Sequence, residues 1–113
     1  MSYRILIDDQ LLAQVIDQAD YYQEQFSSGA EDFEAALDHT YDVIEKAPYT
    51  GKRIKNRPEF LRIMPIRSEK GIKRYARRFP FSLVYYIEEP SKTCYIYQLW
   101  DQRSIKPIQD PPE

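Results

Sequence analysis

Residues 81–100 read FSLVYYIEEPSKTCYIYQLW. Two runs rich in aromatic and β-branched residues, 81–88 and 93–100, flank Glu89-Pro90-Ser91-Lys92. Such runs form strands, and a polar Pro-Ser segment between them supplies a turn. Working upstream, residues 72–79 read as a further strand, with Pro80 marking a turn or bend between two phenylalanines. Residues 60–66 fit a short strand or an irregular segment, because Pro65 is a poor occupant of a central strand. The simplest arrangement is an antiparallel meander.

The N-terminal half has a different period. Residues 3–7 (YRILI) form a short first strand. Asp8 or Asp9 is suited to accept the free amides at a helix start. A helix follows with Leu12, Val15, Ile16, Ala19, Tyr22 and Phe26 as its apolar stripe. Ser27-Ser28-Gly29 breaks the pattern. A second helix spans about residues 30–46, with Phe33, Ala36, Leu37, Thr40, Tyr41 and Ile44 as its stripe, and Pro48 limits it. The two helices form an antiparallel hairpin. Their apolar stripes need a sheet face to cover them. The expected fold is α+β: an N-terminal strand and helical hairpin packed on a small curved, mainly antiparallel sheet. Residues 1–107 form a single domain, and residues 108–113 are expected as a disordered tail.

Length and composition agree with one domain. The chain has 113 residues, 42% hydrophobic and 30% charged, enough for one core and too few for two. A lone cysteine, Cys94, excludes an intramolecular disulfide, and with one histidine, His39, no Cys-rich or His-rich metal site can form. No apolar run approaches the roughly 20 residues that span a bilayer. The reading is therefore a cytoplasmic domain without metal, cofactor or membrane anchor.

The net charge of -2 conceals a strong asymmetry. Residues 1–45 carry -10, residues 46–78 carry +10, and residues 79–113 carry -2. The basic segment is suited to nucleic acid, to an acidic partner, or to the chain's own acidic half.

Several motifs together resemble the RelE/ParE superfamily of toxin–antitoxin toxins. They are the tyrosines Tyr21 and Tyr22 in the first helix, Phe33 opening the second, and the Ala47-Pro48 step after it. The run Arg77-Arg78-Phe79-Pro80-Phe81, followed by Val84-Tyr85-Tyr86, resembles the ParE-side hairpin. The last strand runs into Arg103, where the family carries a basic pair. The resemblance covers about residues 3–107 and lies closer to the ParE branch. It implies a cognate antitoxin as partner, and a toxin that binds and inhibits a target such as DNA gyrase. The RelE branch instead implies a ribosome-dependent mRNA endonuclease. Asp101-Gln102-Arg103 lacks the common histidine or second arginine and places an acid there. That departure motivates a third reading, a non-toxic interaction module with the same fold.

The residues assigned to target or phosphate contact are Arg74, Arg77, Arg78 and Arg103, with Lys52 and Arg53 from the basic connection. Arginine forks hold phosphates or carboxylates through parallel hydrogen bonds. Tyr21 and Trp100 are the partner-binding candidates. No catalytic residue is assigned. His39 reads as a flank of the second helix, and a strand tyrosine would serve as a base only if neighbouring cations lowered its pKa. Cys94 reads as a small buried filler. A two-fold dimer is compatible with an open edge on the final hairpin.

Overall fold

The computed structural model describes residues 2–25, 29–67, 78–103 and 107–112. The elements are β1 (Arg4–Ile7), α1 (Asp9–Gln25), α2 (Gly29–Lys46), one 3₁₀ turn (Pro48–Thr50), β2 (Lys52–Arg53), β3 (Leu61–Arg67), β4 (Arg78–Glu88) and β5 (Thr93–Asp101). The strands form one sheet in the order β1-β5-β4-β3-β2. β1 runs parallel to β5, and the other pairings are antiparallel. The α+β class and the helical hairpin agree with the sequence reading.

The start of α1 is set by Asp8. Its carboxylate accepts the Gln10 amide at 3.1 Å, and its carbonyl accepts the Leu12 amide at 3.1 Å. The apolar stripe differs from the expected one. Leu11, Ala19 and Tyr22 are buried, while Leu12 and Ile16 are 45% and 60% exposed. Adjacent residues point about 100° apart on a helix, and the core face of α1 takes Leu11 while Leu12 lies at its exposed flank. A polar contact helps to fix the choice: Gln14 Oε1 accepts the Leu99 amide of β5 at 3.1 Å. Phe26 lies outside the described residues.

In α2 the expected stripe is buried except for Tyr41, which is half-buried. Burial raises the Tyr41 phenol to about 12. The helix begins at Gly29, where an added methyl would overlap the Tyr22 carbonyl of α1. Tyr22, Phe33 and Phe79 form a closed aromatic triangle with ring centroids 5.1, 5.4 and 5.4 Å apart. It joins both helices to the start of β4.

Two strand expectations need correction. β4 passes straight through Pro80 instead of turning there. The β3–β4 register shifts between Pro65 and Arg67, so Pro80 stands at an interruption of the ladder, where a missing amide costs no hydrogen bond. Its carbonyl accepts the Gln102 amide at 2.8 Å. Pro65 lies inside β3, but β2 pairs only as far as Ile63, leaving Pro65 at an edge on that side. Lys52 and Arg53, read as part of a connecting loop, form the edge strand β2. The expected strand over 72–79 lies outside the described residues except for its last two positions. In the β4–β5 hairpin, β3 pairs along β4 on one side, and β1 pairs with Thr93–Ile96 of β5 on the other.

The connection between α2 and β3 is held by two buried polar groups. Tyr85 donates its hydroxyl to the Pro48 carbonyl at 2.5 Å. Arg62 donates to the carbonyls of Glu59 (2.8 Å), Gly51 (3.0 Å) and Tyr49 (3.3 Å). A methyl on Gly51 would overlap the Tyr85 hydroxyl.

Gly51→Ala should therefore destabilise the protein by about 1–3 kcal/mol through overpacking. Tyr85→Phe should cost about 0.5–1.5 kcal/mol, the net worth of one hydrogen bond, because the Pro48 carbonyl keeps the Gly51 amide at 3.3 Å. The double variant should lose less than the sum, because Tyr85→Phe removes the hydroxyl that the added methyl strikes. Urea unfolding of all four proteins measures this.

Candidate functional site

Of the basic residues assigned from sequence, the structure describes the side chains of Lys52, Arg53 and Arg103. Arg74 and Arg77 lie outside the described residues, and Arg78 is described only by its backbone, opposite Arg67 at the start of β4. Lys52 and Arg53 pair with Ile63 and Arg62 on the far edge of the sheet. Arg103 follows β5, where Asp101 grips its guanidinium through contacts of 3.1 and 3.1 Å and accepts its amide at 2.9 Å. The hydrogen bonds from Arg103 hold the Asp101 carboxyl below the usual carboxylate range. The Arg103 guanidinium also lies 5.9 Å from the Phe81 ring centroid. It remains 69% exposed.

Tyr21 is exposed on α1, with its ring edge 5.8 Å from Tyr22 between centroids. Phe81, against which Arg103 lies, is 6.3 Å from Phe33 between ring centroids, and Phe33 is 5.1 Å from Tyr22. The structure thus brings Tyr21 and Arg103 to one end of the molecule. Trp100 is half-buried on the opposite face of the sheet from the helices, against the cluster of Leu61, Val84 and Tyr97.

That outer face is the most developed surface among the described residues. Alternation puts Leu83, Tyr85, Ile87, Cys94, Ile96 and Leu99 toward the helices. Val84, Tyr86, Tyr95, Tyr97 and Trp100 belong to the cluster behind the sheet. The β4–β5 register shifts between Val84↔Gln98 and Tyr85↔Ile96. The extra residue in β5 is Tyr97, and the bulge turns Tyr97 and Gln98 toward the same neighbour. Tyr97 donates to the Gln109 carbonyl at 2.7 Å, and Gln98 Oε1 accepts the Gln109 amide at 2.9 Å. Arg57 donates to the Ile108 carbonyl at 3.3 Å and forms an ion pair with Asp110. Residues 107–112, expected to belong almost wholly to a disordered tail, are thereby held across the sheet.

An aromatic row continues beyond them. Tyr86 lies 6.4 Å from Tyr97, 5.4 Å from Tyr95 and 6.5 Å from Phe60 between ring centroids. Phe60, Tyr86, Ile87, Glu88, Glu89 and Pro90 line an open groove of about 390 Å³. Tyr95 donates to Asp8 at 2.6 Å, and this bond raises its pKa to about 12. Burial raises Tyr97 to about 12. Both phenols therefore stay protonated near neutrality and act as hydrogen-bond donors. His39 is half-buried on α2, and burial lifts the Cys94 thiol to about 11.

Gln98 and the particular role of Arg57 escaped the sequence reading. Gln98 carried a usable signal: an amide in the middle of the apolar run CYIYQLW needs a hydrogen-bond partner once buried. Arg57 resembled three neighbouring loop cations and carried no distinguishing signal. Among the described residues, no group of three or more His, Cys, Asp or Glu side chains could hold a metal ion, and no helix is long and apolar enough to cross a membrane.

No protein-family model and no curated protein matches the sequence. Among solved structures, the chain is similar to one in the archaeal RelE-RelB complex from Pyrococcus horikoshii OT3. The two are 15% identical, with a TM-score of 0.47, over 91% of this chain and 98% of that one. A likeness at that level carries no argument about activity.

One edge of the groove is fixed by Glu89. It accepts from Tyr3 (2.6 Å), Tyr49 (2.8 Å) and Lys92 (2.6 Å). These bonds, led by that from Lys92, lower its pKa from 4.5 to about 2. A depressed carboxylate contributes stability above its unfolded pKa and loses it as pH falls toward the folded value. The wild type should be more stable than Glu89→Gln at about pH 6, and the difference should shrink as pH falls from 4.5 toward 2. Thermal melting of both proteins across that range checks the sign.

Proposed function

We propose that this chain is a toxin-type protein of the RelE/ParE kind, acting by binding a cellular target such as DNA gyrase and restrained by an antitoxin. The reading is supported by the motif order in the sequence together with one feature of the fold. Phe79 and Phe81, the two aromatics of the Phe-Pro-Phe run, anchor β4 under the helical hairpin. They sit beside the end of β5 that carries Arg103. This end presents Arg103 and Tyr21 outward on a rigid base. A pre-oriented guanidinium beside an exposed aromatic ring suits recognition of a protein or phosphate surface.

Binding is favoured over bond breaking by the state of the described side chains. RNA cleavage needs a base for the 2'-hydroxyl and cations for the developing phosphorane charge. Tyr95 and Tyr97 are shifted upward, away from the range of a useful base. Asp101 already engages Arg103.

The test is expression from a tightly repressed promoter, with viable count followed after induction. A variant with Arg74, Arg77, Arg78 and Arg103 changed to serine is expressed beside the parent. Growth arrest by the parent and not by the variant is expected, with loss of gyrase supercoiling activity and intact messenger RNA. Codon-phased RNA cuts would replace this reading with the RelE-type one. Full viability with both proteins, at verified soluble levels, would overturn the toxin reading and leave an interaction module.

A further inference from the structure

The outer face of the sheet holds an extended peptide already, and the contacts define what it selects. Tyr97 and Gln98 take the carbonyl and the amide of one residue, Gln109. That pair recognises backbone, and the Gln109 side chain adds only one long, exposed contact, accepting from the Gln10 side-chain amide at 3.4 Å. Selectivity comes from the two flanking positions. Ile108 packs on the cluster of Leu61, Val84 and Tyr97. Asp110 pairs with Arg57, whose second nitrogen takes the Ile108 carbonyl. The recognised pattern is an apolar residue, any residue, then a carboxylate.

The same contacts are easily exchanged. Asp110 remains 76% exposed, so its ion pair is screened by salt and contributes little. Ile108 is only half-buried, and Gln109 is exposed. By contrast, the groove side chains Val84, Tyr97 and Gln98 are buried. Their cover is thus a short segment with few anchors. Beyond it the aromatic row runs on from Tyr97 to Tyr86 and Phe60, into the open groove bordered by the exposed carboxylate of Glu88.

We infer that the outer sheet face is a docking groove for an extended partner peptide of the pattern apolar–x–carboxylate, filled in cis by residues 107–112 until a longer partner segment replaces them. A partner segment gains over the tail by also covering the Phe60–Tyr86 groove, with a basic residue facing Glu88. This inference concerns a surface separate from the Arg103 end and does not rest on the toxin reading.

The probe is a labelled peptide with the sequence of residues 107–112, PIQDPP, titrated by fluorescence anisotropy. The proteins are the full-length wild type and a full-length Ile108→Ser, Asp110→Asn variant, whose own tail is weakened. The tail-weakened variant should bind the peptide. The wild type should bind about tenfold or more weakly, since a tethered tail competes at an effective concentration on the order of millimolar. Adding Arg57→Gln to the variant should weaken its binding of the peptide. Equal binding by wild type and variant, no binding by the variant, or binding unaffected by Arg57→Gln would each overturn the inference. If the double variant fails to fold, Ile108→Ser alone, which removes the apolar anchor, gives the same comparison with the same required ordering.

Discussion

The central hairpin of β4 and β5 carries large apolar side chains on both faces, and the other elements are arranged to cover them. An antiparallel pair in a small protein usually leaves one face to water. Here Leu83, Tyr85, Ile96 and Leu99 point one way, and Val84, Tyr86, Tyr97 and Trp100 point the other. The helical hairpin covers the first set. Among the described residues, nothing of comparable size covers the second, which is left to Ile54, Ile63 and Ile108. The bulge at Tyr97 makes this burial compatible with polar atoms. It directs a phenol and an amide to the same peptide, so that both are satisfied by Gln109.

Charge follows the same division of labour. The described cations of the strongly basic middle are spread through the fold rather than gathered at one site. Arg62 is buried and serves three backbone carbonyls. Arg57 meets the tail, and Lys52 and Arg53 remain exposed on the edge strand. Further along, Arg103 meets Asp101. A guanidinium has enough donors in a fixed plane to satisfy several carbonyls at once, which a lysine at position 62 would not reproduce. These cations therefore do different jobs, and a count of basic residues could not separate them.

Periodicity made most of the fold legible. The two strong strands, the turn between them, the Asp8 cap, the α2 stripe and the end of α2 before Pro48 were all readable from local chemistry. The errors had physical causes. Leu12 and Ile16 looked like core residues because hydrophobicity alone was weighed, whereas Gln14 reaches the sheet and helps to set the rotation of α1. Pro80 looked like a turn because a bulge that excuses its missing amide depends on long-range register. The contacts that residues 107–112 make with Arg57 and Gln98 join positions distant in sequence, whereas the three prolines of that segment are local facts. At the candidate site, Tyr21, Trp100 and Arg103 were visible as residue types on or near element ends. Their separation onto two surfaces was set by tertiary contacts that the sequence does not state.

The tail's occupation of the outer face is reported most directly by the amide of Gln109. That amide donates to Gln98 at 2.9 Å. Hydrogen exchange at Gln109, followed by NMR in the full-length protein, should be slowed about tenfold or more relative to an unstructured peptide, as expected for an amide released only by local opening. Exchange at the unstructured rate would show that residues 107–112 do not cover the sheet, and would contradict the account.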